Sequence, residues 1–316
     1  MLANLLTRTL SGFVTLVVVL VIVFFALEAL PGDACTAYLE RDARDALLAA
    51  CRERFGLDEP VPARFSSWAM ALASGDLGTS ILRDRPVGDI LWPRFRNTAL
   101  LAGVAAAMAV PIALVFGTLA ALRQDGVFDI AASTVVLVAM TVPEFVIATV
   151  LVFIFAIWLQ WAPAVVTVSA GAPVGDLIGA IALPAAVLTT TLVAHAMRVH
   201  RATVVEYLAF EFVEAARLRG LPKWRIVLFD VLPAALPPTL SVTAVSLAGV
   251  LGGVVIIERV FNYPGLGTLA LQAILERDLP VLQGAVAVFA VTYVLLAITA
   301  DLLTELLDPR TRRGTS

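Results

Sequence analysis

The polar stretch EAARLRGLPKWRIVLFDVLP, Glu214–Pro233, lies between two apolar segments that are each long enough to cross a membrane. Within it, Gly220 fits the left-handed position just past the end of one helix, and Pro222 fits the first turn of the next. Arg217 and Arg219 fall in the last turn of the first helix, where the helix dipole favours positive charge. The stretch therefore predicts a short, rigid helix–turn–helix between two membrane spans.

The composition around this stretch is that of an integral membrane protein. Of 316 residues, 60% are hydrophobic and 15% are charged, whereas a soluble domain is about half apolar and about a quarter charged. Six apolar runs of about 20 residues predict spanning helices, because a helix of that length crosses a hydrocarbon core of about 30 Å. They lie near residues 10–30, 97–122, 131–161, 179–198, 235–257 and 282–306. We therefore predict one all-α transmembrane domain over residues 1–316.

Lysine and arginine in short loops indicate the orientation of the spans. The loop at 199–234 and the tail at 310–313 are rich in these residues, whereas the loop near 162–178 contains none. Both termini and the 199–234 loop are therefore predicted to face the cytoplasm, and the segment 31–96 to lie outside. Spaced apolar residues in that outer segment favour short helices over disorder. The first apolar run is longer than that of a cleavable signal peptide, so we expect it to be retained.

Cys35 and Cys51, the two cysteines of the chain, both fall in the outer segment. An oxidising exterior would permit a disulfide between them. Two free, buried thiols are the alternative, and the spacing does not decide between the two states.

Motifs for chemistry on a substrate are absent from the sequence. Lys223 is the only lysine, and it does not lie in a G-x-x-x-x-G-K-[ST] phosphate-binding loop. We therefore expect this chain not to be an enzyme and to hold no cofactor or metal of its own. A helix–turn–helix suggests DNA binding, but this one is tethered at both ends to membrane spans, so we expect no nucleic-acid partner. Docking on another protein is favoured over a plain solvated connector.

Several stretches resemble one known family. Glu214, Ala215 and Ala216, followed by Gly220 and then Leu232 and Pro233, are similar to the EAA loop of bacterial ABC-importer permeases. Further stretches narrow the resemblance to the first of the two permease subunits of dipeptide, oligopeptide and nickel importers. They are PGD at 31–33, FGLDEP at 55–60, GDLGTSILRDRPV at 75–87, RVHRATVVEYLAFEFVEAARLRGL at 198–221 and ERVFNYPGLGTLALQAILERDLPVLQG at 258–284. Together they cover nearly the whole chain in the expected order.

The resemblance implies a six-span permease of the type I ABC importer fold in the bacterial inner membrane. Such a permease pairs with a second homologous permease subunit and binds two cytoplasmic ATPase subunits, which carry ATP and Mg²⁺. An external substrate-binding protein delivers the solute, a peptide or a related small molecule. The residues implied in coupling to the ATPase are Glu214, Ala215, Ala216, Gly220, Leu232 and Pro233. The first three would form the helix surface that faces the ATPase, and the last two would anchor the return to the membrane.

The alternative class is an ATP-independent secondary transporter or channel. It predicts paired charges inside the membrane and inverted internal repeats, and neither is clear in the sequence.

The region of the fifth predicted span is rich in small residues. Gly249, Gly252 and Gly253 allow close helix approach, either to the partner permease or within the subunit. The following NYPGLG, at 262–267, is predicted to be a structural turn rather than a ligand contact.

Pro143 and Glu144, in the sequence MTVPEF, fall inside the third predicted span. Proline removes a backbone hydrogen bond and kinks a helix. A carboxylate within the bilayer is costly unless it meets water or a partner, which makes Glu144 a functional candidate. One hypothesis is that Glu144 lines the translocation pathway and favours solutes with a positive group. The other is that it lies near an interface and caps or pairs with a neighbouring chain.

Overall fold

Long apolar runs fold as helices throughout the part of the chain that the computed structural model describes, residues 2–29, 35 and 45–307. The helices are α1 Leu2–Glu28, α2 Asp45–Arg54, α3 Val61–Ala73, α4 Val87–Leu122, α5 Val127–Thr141, α6 Glu144–Leu151, α7 Val174–Ala180, α8 Ala182–Leu208, α9 Glu211–Leu218, α10 Lys223–Ile226, α11 Leu232–Val260, α12 Leu266–Glu276 and α13 Leu279–Leu307. Two π-helical stretches, Val152–Trp158 and Val227–Val231, follow α6 and α10. The PGD motif at 31–33 and the basic tail at 310–313 lie outside the described residues.

Five of the described helices are long and apolar enough to cross a membrane individually. Their spanning parts are Thr9–Glu28, Val87–Leu122, Ala182–Leu208, Lys223–Gly249 and Leu279–Leu302. The third predicted span is not one helix, because α5 and the helix that begins at Glu144 meet at 109°. If these two helices are counted as one broken span, the structure has the six spans that the sequence predicted.

The break in the third span is caused by Pro143. α5 ends at Thr141, and Val142 and Pro143 both adopt extended backbone with ψ of 126° and 141°. Proline has no N–H to donate and forces the residue before it out of the helical region, so the helix cannot continue through this point. The expected kink within a continuous helix is therefore wrong: the chain changes direction between two separate helices.

α8 lies at the centre of the bundle. It packs against α4 and α11 along much of its length and also against α5 and α6. Gly117 of α4 permits a close approach to α8, because a Cβ there would lie 3.2 Å from the carbonyl oxygen of Met197 and 3.1 Å from the ring of His200. α1 packs at the margin against α13.

The molecule has two ends, which we name by the short helices they carry. At the α3 end, Arg64 of α3 donates two hydrogen bonds of 2.7 Å to Glu28, the last residue of α1. α1 and α13 run in opposite directions, since Gly12 near the start of α1 lies beside Val294 and Ile298 in the second half of α13. The first residues of α1 and the last residues of α13 therefore lie together at the opposite end of the molecule. We call this the α9 end, because it carries α9.

The segment between the first two spans forms the short helices that its apolar residues predicted. α2 and α3 cover the α3 end of the bundle. Of the two states left open for the cysteines, the structure contains the disulfide: Cys35 and Cys51 are joined, with their Cα atoms 5.9 Å apart, and Cys35 is fully buried.

A buried carboxylate fixes α12 to the spans at the α3 end. Glu258, near the end of α11, is fully buried and accepts hydrogen bonds from the hydroxyl of Thr98 (2.5 Å) and the backbone N–H of Thr268 (2.9 Å). The Thr98 hydroxyl accepts a further bond of 2.8 Å from the backbone N–H of Leu266. These acceptors satisfy N–H groups in the first turn of α12 that have no intrahelical partner. The NYPGLG stretch thus forms the turn between α11 and α12.

A tyrosine completes this anchor. The hydroxyl of Tyr263 donates a 2.8 Å hydrogen bond to the carbonyl oxygen of Asn97, and the Asn97 amide donates one of 2.9 Å to the carbonyl oxygen of Pro264. Burial, together with the neighbouring Glu258 carboxylate, raises the pKa of the Tyr263 phenol above its ordinary value. The phenol therefore remains protonated and able to donate.

We expect Glu258→Ala to destabilise the α3 end. The change leaves buried donors on Thr98 and Thr268 without an acceptor, at about 1–3 kcal/mol for each unsatisfied group. Thermal unfolding in detergent, followed by tryptophan fluorescence, should show a clear drop in midpoint, and Glu258→Gln should lose less because one acceptor remains. Asp89→Ala, at an exposed position, is the control. An unchanged midpoint for Glu258→Ala would contradict the anchor.

We expect the Cys35–Cys51 bond in protein isolated without reductant. A disulfide that closes a loop of this size contributes about 3 kcal/mol by restricting the unfolded chain. Mass spectrometry of a non-reduced digest should contain the linked peptide pair, and replacing both cysteines by serine should lower the thermal midpoint. Two free thiols in that preparation would refute the bond.

Candidate functional site

α9 has one buried face and one exposed face at the end of the bundle. Val213 and Ala216 are buried and pack against α4, α8, α10 and α11. Glu214 and Ala215 are exposed, and Leu218 is 83% exposed. The expectation that Ala216 forms part of the outer surface is therefore wrong, because this residue faces the bundle.

The turn after α9 has the backbone that its sequence predicted. Gly220 has φ of +81°, in the left-handed region. Its N–H donates to the carbonyl of Arg217, and the N–H of Leu221 donates to that of Ala216, so the last carbonyls of α9 are satisfied. No atom lies within 4 Å of a Cβ placed at position 220, so the requirement for glycine here is conformational rather than steric.

The return to the membrane passes through a π-helical stretch into α11. Leu232, the first residue of α11, packs against the buried cluster beneath α9. Pro233 follows it, and because proline has no N–H to donate to the preceding turn, it lies at the change from the π-helical stretch to α11. The role of both residues as an anchor for the return to the membrane stays a prediction.

Two neighbouring residues of α8 tie it to three other helices near the α9 end. Arg201 forms a two-pronged ion pair with Asp129 in the first turn of α5, and Asp129 is almost fully buried. His200 is fully buried and hydrogen-bonds Thr118 of α4 at 3.0 Å and Thr239 of α11 at 2.8 Å. α8 is therefore fixed laterally only two turns before it leads into α9.

Sequence reasoning missed the pairing of Arg201 with Asp129 and the role of His200. The available signal for Asp129 was an acidic residue at the start of an apolar run. Its partner lies 72 residues further along the chain, which no local pattern specifies.

Glu144 lies where the broken span meets two other helices. It is the first residue of α6 and is half-buried. Its carboxylate occupies the space beside Gly253 of α11, so closely that a Cβ at that position would collide with it. Thr191 of α8 lies beside the carboxylate, and His195 is close enough to interact with its charge. By contrast, Gly252 has no atom within 4 Å of the Cβ position.

Comparison with known proteins gives consistent relatives. The family described as binding-protein-dependent transport system inner membrane component matches residues 113–313, and the family of its N-terminal part matches 1–102. The probable peptide ABC transporter permease protein y4tP of Sinorhizobium fredii is 32% identical over 97% of this chain and 98% of its own length. The glutathione transport system permease protein GsiC of Pectobacterium atrosepticum is 32% identical over 96% and 97%.

Among solved structures, the inward-facing MetNI methionine ABC transporter contains a chain of similar fold. It aligns with a TM-score of 0.56 at 16% identity, over 69% of this chain and 96% of that one.

We expect the Asp129–Arg201 pair to be important for stability. Arg201→Ala removes the charged partner of Asp129, although the N–H of Asp125 still donates to that carboxylate, so we expect a loss below the ~3–5 kcal/mol of fully buried pairs. Thermal unfolding of both single variants and of Asp129→Asn with Arg201→Ala should give a double-mutant cycle in which the double variant loses less than the sum. Arg54→Ala is the matched control, because its pair with Asp84 is 62% and 65% exposed and should contribute little. Additive losses would rule out a direct contribution of the pair.

Proposed function

We infer the function of this chain from its family, because it belongs to the binding-protein-dependent transport system inner membrane components. We propose that its solute is a peptide or a related small molecule. We also propose that α9 couples the movement of the solute to ATP hydrolysis. Family and fold make it a multi-pass permease subunit of an ABC importer in the inner membrane, working with ATPase subunits, another permease and a binding protein. An ATP-independent transporter or channel has no support among these relatives. ATP and Mg²⁺ would be bound on two ATPase subunits rather than on this chain, and the second permease would be a homologue of it.

The solute class is supported by the names of the relatives. One is described as a peptide permease and the other as a glutathione permease, and glutathione is itself a small peptide. Both match this chain over nearly its whole length, so the similarity includes the spans as well as the α9–α10 segment.

The exposed face of α9 is the observation that carries the coupling proposal. It combines the carboxylate of Glu214, the small Ala215 and the strongly exposed Leu218 on a helix that is capped and packed from below. An exposed leucine on its own is common at protein surfaces, so the proposal depends on the combination of a rigid helix, fixed from below, with an exposed charged and apolar face. A groove on an ATPase would cover this face.

α8 would carry the displacement of α9 into the membrane. α9 follows α8 after only Ala209 and Phe210, and the N–H groups of both bond back to the last turn of α8. The ties of His200 and Arg201 then connect α8 to α4, α5 and α11. A push on α9 would therefore move these helices together rather than bend one of them.

The α9 end is proposed to face the cytoplasm. The 199–234 loop with its basic residues lies there, and short basic loops remain on the cytoplasmic side. The start of α1 and the end of α13 lie at the same end, which agrees with an even number of spans.

We expect Gly220→Val to uncouple the complex. A β-branched residue in the left-handed region costs about 1–3 kcal/mol, so the turn should rearrange and displace α9. In proteoliposomes that contain both permeases, the ATPases and binding protein, the variant should insert normally yet lose peptide uptake and ligand-stimulated ATP hydrolysis.

Gly220→Asn is the matched control for this test. Asparagine tolerates left-handed backbone, and open space surrounds position 220, so activity should be largely retained. Undiminished ligand-stimulated hydrolysis by Gly220→Val would eliminate α9 as the coupling element.

A further inference from the structure

The break between α5 and α6 brings a carboxylate into the interior of the bundle without a basic partner. Among the described residues, no lysine or arginine forms an ion pair with Glu144, whereas Asp129, the other acidic residue of the broken span, is paired with Arg201. An unpaired carboxylate within the bilayer is costly and typically faces a pathway or a cavity. The half-buried Glu144 thus retains capacity for a cation.

A buried hydroxyl lies beside it. Thr191 has a buried Oγ1 that reaches no partner at full hydrogen-bond geometry among the described residues, and the Glu144 carboxylate is close enough to interact with it. This is unusual for a threonine within a helix here: the neighbouring Thr190 donates to the carbonyl of Ala186 at 2.9 Å, and Thr239 and Thr243 make the same bond four residues back. A hydroxyl that is not committed to the backbone of its own helix can also accept a hydrogen bond from a group that approaches Glu144.

A histidine contributes a third acceptor. His195 lies one turn after Thr191, close enough for its ring to interact with the charge of the same carboxylate. Its Nδ1 lies 3.0 Å from the carbonyl oxygen of Thr191 and must donate, because a carbonyl can only accept. In the neutral ring this leaves Nε2 as an acceptor. Carboxylate, hydroxyl and imidazole therefore offer three acceptors, the number of N–H groups on a primary ammonium.

The position of these groups is that of a site on a transport route. Ala182 begins α8 at the α3 end, and Thr191 and His195 lie about 14–20 Å further along the helix axis at 1.5 Å per residue, near the middle of α8. Transporters commonly place solute groups at such depths, beside broken helices whose ends meet polar side chains.

We propose that Glu144, Thr191 and His195 form a subsite that receives the positively charged amino group of the solute during its passage. The inference rests on the proposed function, since it specifies which part of a peptide this permease contacts. When a peptide with a free amino terminus moves from water into this subsite, the Glu144 carboxylate balances its charge and the three acceptors bind its three N–H groups. A peptide with a blocked terminus would leave the Glu144 carboxylate uncompensated.

Gly253 allows the subsite to be altered without removing its charge. Because a Cβ at position 253 would collide with the Glu144 carboxylate, Gly253→Ala should displace that group. Gly252→Ala is the matched control, since it adds the same methyl one residue away into open space. Glu144→Gln removes the charge at nearly constant shape.

The test compares uptake of a tripeptide with neutral side chains and of its N-acetylated form, in proteoliposomes with the complete complex. The binding protein is the same throughout, so its own preference cancels when the uptake ratio of each variant is divided by that of the wild type. We expect Glu144→Gln and Gly253→Ala to lower this ratio about tenfold, which corresponds to about 1.4 kcal/mol, and Gly252→Ala to leave it unchanged. Basal ATP hydrolysis and the amount of each variant in the membrane show whether the complex assembles. If the Glu144→Gln complex does not assemble, the uptake ratio of Gly253→Ala tests the subsite.

An unchanged uptake ratio in assembled Glu144→Gln or Gly253→Ala complexes would overturn the subsite. ATP-dependent uptake of the free peptide by the wild type in the same experiment would still support the proposed function. Absence of ATP-dependent uptake of either peptide by the wild type would instead overturn the peptide-importer function itself, and the subsite with it.

Discussion

Within hydrocarbon, a backbone N–H or C=O group without a partner costs several kcal/mol, and the architecture of this chain follows from that constraint. The spans are helices because only helices satisfy these groups within one segment. At the single broken span, the constraint still holds locally: the N–H of Val142 bonds to Val138, and the carbonyl of Pro143 accepts from the N–H groups of Val146 and Ile147. Proline itself brings no N–H, so the break leaves few backbone groups to satisfy.

The same rule explains where the polar side chains of the bundle lie. His200 joins α8 to α4 and α11, Arg201 joins it to Asp129, and Glu258 joins α11 to α4 and α12. His200, Glu258 and the Asp129 partner of Arg201 are buried at helix contacts and are hydrogen-bonded there, so these groups give a defined register to helices that apolar packing alone would allow to slide. Glu144 stands out because, among the described residues, no lysine or arginine pairs with it, and the hydroxyl of Thr191 beside it is not bonded to the backbone of its own helix.

α8 links the two regions that matter for transport. Its α9 end continues into the proposed ATPase contact, and its middle carries the residues that face Glu144. Between these points it is held against its neighbours by His200 and Arg201, so the helix can act as a stiff connection between them. Gly220 lies on the other side of α9, where left-handed backbone turns the chain toward α10.

The sequence by itself determined the features that depend on local composition. The length of the apolar runs predicted the six spans, and Gly220 with Pro222 predicted the turn after α9. Pro143 indicated where the third span breaks. The direction in which each helix turns its side chains was decided only by the tertiary structure. In a membrane protein the lipid-facing and core-facing sides of a helix are both apolar, so periodicity does not reveal which side is buried. For this reason the burial of Ala216, the 109° bend, the pairing of Asp129 with Arg201 across 72 residues and the bond between Thr98 and Glu258 across 160 residues all required the folded chain.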